Sequence, residues 1–154
     1  MFRTQAALAA ALAALASSAA AQVTAQQTVL AEKTEVGPDG EQVTVMAPAD
    51  KVIPGDKLAY VLTFENEGDA PAEGLAMVMP VPEGVALIAG SASDEAAYSV
   101  DGGRTYAALA ALRVEEDGTP RPATPADVTH LRWRLAEALA PGETGEVGYR
   151  AVLR

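Results

Sequence analysis

The sequence predicts an all-β fold, a β-sandwich of two packed sheets, and three observations predict it. Apolar residues recur at every second position in several short runs. Turn-forming Pro, Gly, Asp and Asn separate those runs at short, regular intervals. Past residue 21, no stretch carries a convincing helical period with start and stop signals.

The first 21 residues stand apart. In "MFRTQAALAAALAALASSAAAQ", Arg3 supplies a positive start, residues 6–16 form an apolar run, and Ala19-Ala20-Ala21 offers small residues to a signal peptidase. This pattern predicts a cleavable signal peptide over 1–21, with Gln22 the first residue of the processed chain. An amphipathic helix of the folded domain would need a polar face, which the run lacks. It is also too short to span a bilayer. No second long apolar run follows, so no integral membrane segment is expected after cleavage, and the location implied is periplasmic or secreted.

Composition narrows the function classes. Losing the leader removes Arg3 and leaves 10 basic against 21 acidic residues, a net charge of −11. Such a surface repels phosphate backbones, so no nucleic-acid partner is expected. With no cysteine there is no disulfide framework, no thiolate zinc set and no thiol for a lipid anchor. About 130 residues suit a single domain with its own core.

Element by element, residues 22–27 read as a flexible lead-in, and 28–154 as one β-sandwich domain. "TVLAEKTEV" and "EQVTVMA" read as two strands around the turn Gly37-Pro38-Asp39-Gly40, although sequence alone leaves open whether this hairpin (28–47) joins the sandwich. Pro54-Gly55-Asp56 fits a type II turn launching "KLAYVLTFE", where Leu58, Tyr60, Leu62 and Phe64 share one face. Asn66, the only asparagine, ends that strand in an expected Asx-turn. "GLAMVMP" is a strand stopped by Pro80 and Pro82, and "VALIAGSAS" is a further candidate. "YSVDGGRTY" is the strongest hairpin signal, with Asp101-Gly102 or Gly102-Gly103 as a tight primed turn. Residues 105–114 are ambiguous between strand and helix and read here as strand. "EEDGTPRPATPAD" reads as a loop. "VTHLRWRL" puts Leu131, Trp133 and Leu135 inward, with His130, Arg132 and Arg134 outward. Pro141-Gly142-Glu143 then launches the last strand, with Val147, Tyr149, Ala151 and Leu153 on one face. Each Pro-Gly turn reads as a corner to a new strand, the acid after it keeping that corner wet. Eight or nine such strands in this length argue an immunoglobulin-like sandwich.

Taken in order, "V-x-PGD-x-x-x-Y-x-L-x-x-x-N-x-G", "P-V-P-E-G-V", "S-V-D-G-G-R-T-Y", "H-L-R-W-R-L" and "L-A-P-G-E-x-G" resemble the bacterial conserved repeat domain family, domain of unknown function eleven, over residues 52–153. The resemblance implies an immunoglobulin-like domain of bacterial envelope or surface proteins. It implies no catalytic residues. Domains of that family often stand in tandem, whereas this chain carries a single copy.

The residues themselves assign no catalytic, cofactor-binding or metal site. Ser91 and Ser93 sit in "AGSASD", which lacks the second glycine of a nucleophile elbow, and Ser99 and His130 have no recognisable partners. Neither Glu65, Glu67 and Asp69 nor Glu115, Glu116 and Asp117 has the spacing of a calcium loop. Trp133 reads as core by its phase with Leu131 and Leu135. Arg132 and Arg134 read as cross-strand partners of Glu146, with a contact patch as the alternative. The function expected is therefore a non-enzymatic structural or protein-interaction module of the envelope, binding another envelope or surface protein. The alternative is a carbohydrate- or calcium-binding module, and no cofactor is expected.

Overall fold

The computed structural model describes residues 21–93 and 95–154; the signal peptide expected over 1–21 falls almost wholly outside them. Ten strands follow one another among the described residues: β1 (Val23–Val36), β2 (Gln42–Pro48), β3 (Lys57–Asn66), β4 (Ala76–Pro80), β5 (Val85–Leu87), β6 (Ala97–Ser99), β7 (Arg113–Glu116), β8 (Thr119–Pro122), β9 (His130–Arg134) and β10 (Thr144–Leu153). Among the described residues the only helical pieces are two 3-10 turns, Leu109–Ala111 and Pro125–Asp127. The chain is all-β. Its strands form antiparallel sheets in the orders β2-β1-β3-β10-β5 and β4-β9-β6, with β7-β8 a separate ribbon.

The period-two runs become the inner faces of the two larger sheets. Leu58, Tyr60 and Phe64 of β3 and Tyr149 and Ala151 of β10 share one buried cluster with Met77 and Met79 of β4 and Leu131 and Trp133 of β9. Both sheets thus bury their apolar faces against each other, the usual solution for a sheet with one greasy side. Tyr60 and Tyr149, directly opposite in the β3–β10 register, stack with ring centroids 4.9 Å apart. The Tyr149 hydroxyl crosses the core and donates to the Pro80 carbonyl at 2.6 Å, tying β10 to the last residue of β4. Tyr149→Phe keeps the ring and deletes that bond. It should cost about 1 kcal/mol, read as a lower urea midpoint at unchanged slope.

Both Pro-Gly-acid turns lead into their strands as the sequence suggests, and they share one wiring. In the first, the Asp56 amide donates to Ile53 O, and the Ile53 amide donates to the Asp56 carboxylate. In the second, the Glu143 amide donates to Ala140 O, and the Ala140 amide donates to the Glu143 carboxylate. Gly55 and Gly142 take the positive φ that the third turn position needs, 97° and 74°. Their amides reach the far end of the neighbouring strand: Gly55 donates to Leu153 O, and Gly142 to Asn66 O. Each turn therefore starts one central strand and caps the end of the other. The acid does more than keep the corner wet, since it satisfies the first amide of its own turn.

Four expectations need correction. Residues 22–27 are no flexible lead-in: Val23–Gln27 lie in β1 and pair with β3 from Asn66 to Leu62. The region 105–114, read as strand, holds the 3-10 turn Leu109–Ala111 before β7 begins at Arg113. "EEDGTPRPATPAD" contains the β7–β8 hairpin, closed at Asp117-Gly118, both with positive φ (52° and 78°), as a two-residue primed turn requires. Pro120 and Pro122 fit because their nitrogens point away from β7; Ala123, in alternate phase, is the residue whose amide reaches Leu112 O. The "SVDGGRT" hairpin has no two-residue turn: Tyr98 pairs with Ala107, and residues 99–106 form a longer loop. The 28–47 hairpin joins the large sheet through β1, which pairs with β3 over Val23–Ala31 and with β2 over Leu30–Val36.

Candidate functional site

The face of the small sheet turned away from the core gathers the most chemistry. Ser99 of β6 lies opposite His130 of β9, and Ala97 opposite Arg132. The loop 99–106 folds back over them and brings Tyr106 against Arg132, whose guanidinium carbon sits 4.2 Å from the ring centroid, a cation–π contact. This places side by side a serine, a histidine and, in the same loop, Asp101.

Those three residue types invite comparison with a nucleophilic triad, and the wiring decides against it. In a triad, histidine bridges the serine hydroxyl and the carboxylate. Here the Ser99 hydroxyl is fully buried and donates directly to Asp101 Oδ1 at 2.7 Å. His130 Nδ1 faces Thr129 Oγ1 at 3.2 Å. Asp101 is occupied by its own loop: Oδ1 also accepts the Arg104 and Thr105 amides, and Oδ2 accepts the Thr105 hydroxyl at 2.6 Å. The Ser99 hydroxyl in turn accepts the Gly103 amide. The Thr105 hydroxyl and amide, then Ser99, hold the Asp101 carboxyl well below the usual carboxylate range. Its charge is the organising centre of the loop.

A second polar cluster was not anticipated. Arg121 of β8 donates from Nη1 and Nη2 to both oxygens of Asp127, at 2.7 and 2.9 Å, and from Nε to Glu116 at 2.7 Å. Asp127 also accepts the Thr124 amide and hydroxyl, completing a capping box on the 3-10 turn. The spacing Thr124-x-x-Asp127 carried that signal in the sequence. Arg121 holds the Asp127 carboxyl well below its usual range, and Asp127 and Glu116 push the guanidinium above its own. The cluster pins the β7–β8 ribbon to the body.

Since Asp101 and Asp127 both titrate lower folded than unfolded, their contribution is complete above the ordinary value of about 4 and is lost as pH falls below it. The urea midpoint should hold from about pH 7 to about pH 5 and then fall. Asp127→Asn should make that fall shallower.

Ser91 and Ser93 have a structural task. The Ser91 hydroxyl donates to Arg150 O and accepts the Arg150 amide, both at 3.0 Å. The Ser93 hydroxyl does the same with Gly148, at 3.3 and 3.0 Å. Spaced by two, the pair imitates a strand along the edge of β10 beyond β5.

The remaining expectations can be placed. Trp133 is only 3 % exposed and donates from Nε1 to Ser93 O at 3.2 Å, so the inward phase is correct. Arg132 and Arg134 do not lie across a sheet from Glu146: β9 pairs with β4 and β6, while Glu146 on β10 faces Thr63 of β3. Glu65, Glu67 and Asp69 are exposed, as are Glu115, Glu116 and Asp117. Among the described residues, no three His, Asp or Glu side chains converge as metal ligands. A concavity of about 360 Å³ lies by Thr24, Gln26, Glu65 and Thr144. No helix among the described residues is long and apolar enough to cross a membrane. No known protein family, curated protein or solved structure matches the chain.

Proposed function

We propose that the chain is an exported, immunoglobulin-like β-sandwich that serves as a non-enzymatic structural or protein-interaction module of a bacterial envelope. One observation carries the reading: the side chains best suited to chemistry are engaged in holding backbone. Ser91 and Ser93 seal a strand edge, Ser99 and Asp101 build a loop, and Asp127 caps a turn. The leader pattern over 1–21 supports export, and the ordered motifs over 52–153 support kinship with the conserved repeat domains. A carbohydrate platform is best built on an exposed tryptophan, and the only tryptophan lies in the core.

Fractionation and photo-crosslinking in cells test this. The expected result is a processed chain starting at Gln22 in the envelope fraction, crosslinked to a defined protein. An unprocessed cytosolic chain would contradict export, and turnover by the purified protein across a substrate panel would contradict the non-enzymatic role.

A further inference from the structure

The two edges of the five-stranded sheet are treated differently. On one side, β5, Ile88, Ser91 and Ser93 occupy the edge of β10 from Leu153 to Gly148. On the other, β2 covers β1 only from Leu30 onward, and Ala49 reaches Val29 O. Before that point, no described residue pairs with the outer edge of β1.

Phase identifies the groups left there. The Gln22 carbonyl accepts the Glu67 amide, so even-numbered residues of this stretch point their backbone groups toward β3. Val23, Ala25 and Gln27 therefore point theirs outward. Natural edge strands are usually blunted by charge, proline or a bulge. The stretch 22–31, "QVTAQQTVLA", has none of these residues, in a chain where 21 % are charged.

We infer that β1 pairs with β1 of a second copy of this chain, antiparallel about a two-fold axis at Ala25, joining two five-stranded sheets into one. An isologous contact needs a self-complementary patch, and antiparallel pairing of one uncharged segment supplies it. Two strongly acidic copies would repel through most other surfaces. The register follows from the free groups. With Ala25 opposite Ala25, Val23 meets Gln27 and all three outward-facing residues bond; a shift by one pair toward Val29 would compete with Ala49 for its carbonyl. On the outer sheet face, Thr24 then lies beside Gln26 of the partner subunit. In this register the partner's β2 lies just past Gln22, so the fit rests on the processing at Gln22 proposed above.

The test uses the chain exported with its own leader, its N-terminus read by mass spectrometry and its size by light scattering across a concentration series. The expected result is a Gln22 start and twice the chain mass. Ala25→Pro removes an amide that β3 does not use, and Thr24→Glu with Gln26→Glu sets like charges face to face; both should give the single-chain mass. Thr24→Lys with Gln26→Glu sets opposite charges across the axis and should keep the doubled mass, which a general surface effect would not. Thermal melts confirm folding, and the charge variants decide if Ala25→Pro fails to fold. A Gln22-started chain of single mass at every concentration would overturn the pairing, as would a doubled mass indifferent to the charge pattern. An unprocessed start would overturn the export reading, and with it the fit.

Discussion

Trp133→Ala should lower stability by about 3–5 kcal/mol, the usual penalty for truncating a core aromatic. The side chain sits on β9 beside Met77 of β4 and faces the inner side of the large sheet within one buried cluster. Removing it leaves a cavity between layers that can collapse only if the sheets approach, which Tyr149 and Pro80 oppose through their bond. The indole also anchors Ser93, whose hydroxyl seals the edge of β10, so the loss should spread to that edge. The melting temperature should drop by about 10–20 °C. Trp133→Phe should cost less, since it retains ring volume and loses only the bond to Ser93. An unchanged melting temperature for the alanine variant would place the ring outside the core.

Asn66→Ala should be nearly as damaging, at about 3 kcal/mol. Asn66 is fully buried, and every hydrogen-bonding position of its amide is used. Nδ2 donates to Ala70 O and Leu139 O, both at 2.8 Å, while Oδ1 accepts the Gly68 amide at 3.0 Å and the Gln22 amide at 3.3 Å. One side chain therefore joins the end of β3, the following turn, the approach to β10 and the start of β1. Alanine would remove all four of these bonds at about 1 kcal/mol each at most, the Leu139 carbonyl alone being cushioned because it also accepts the Ala72 amide. Asn66→Asp makes a sharper test. A buried carboxylate facing two carbonyls has its pKa raised, so this variant should be weakest at neutral pH and regain stability as pH falls through that raised value. The native chain should move the opposite way in acid.

Much of this was legible in the sequence, and the parts that were not have physical causes. The period of two in β3, β9 and β10 located the core, because alternation and burial on one sheet face are the same fact. The Asx-turn at Asn66 followed from a short amide after a strand; its reach to Leu139 did not, since long-range partners leave no local spacing. Residues 22–27 were missed because the first half of β1, ahead of its pairing with β2, is held by the β3 ladder alone, with little inner-face burial to write a hydrophobic pattern. The β7–β8 hairpin hid behind its prolines, though Asp117-Gly118 announced it. The pairing of Arg132 with Glu146 failed because periodicity fixes faces and says nothing about which strands share a sheet. As for the site, the sequence withheld a catalytic set, and the structure adds why the individual residues are there.

The central claim is that both sheets close over one shared core. Residue-resolved hydrogen exchange under native conditions tests it most directly. The account predicts that the slowest amides of β3 and β10 and those of Leu131 and Trp133 on β9 open together, with one common free energy. If the β9 amides exchanged through a separate opening, far easier than that of β3 and β10, the two sheets would not be a single unit and the account would be wrong.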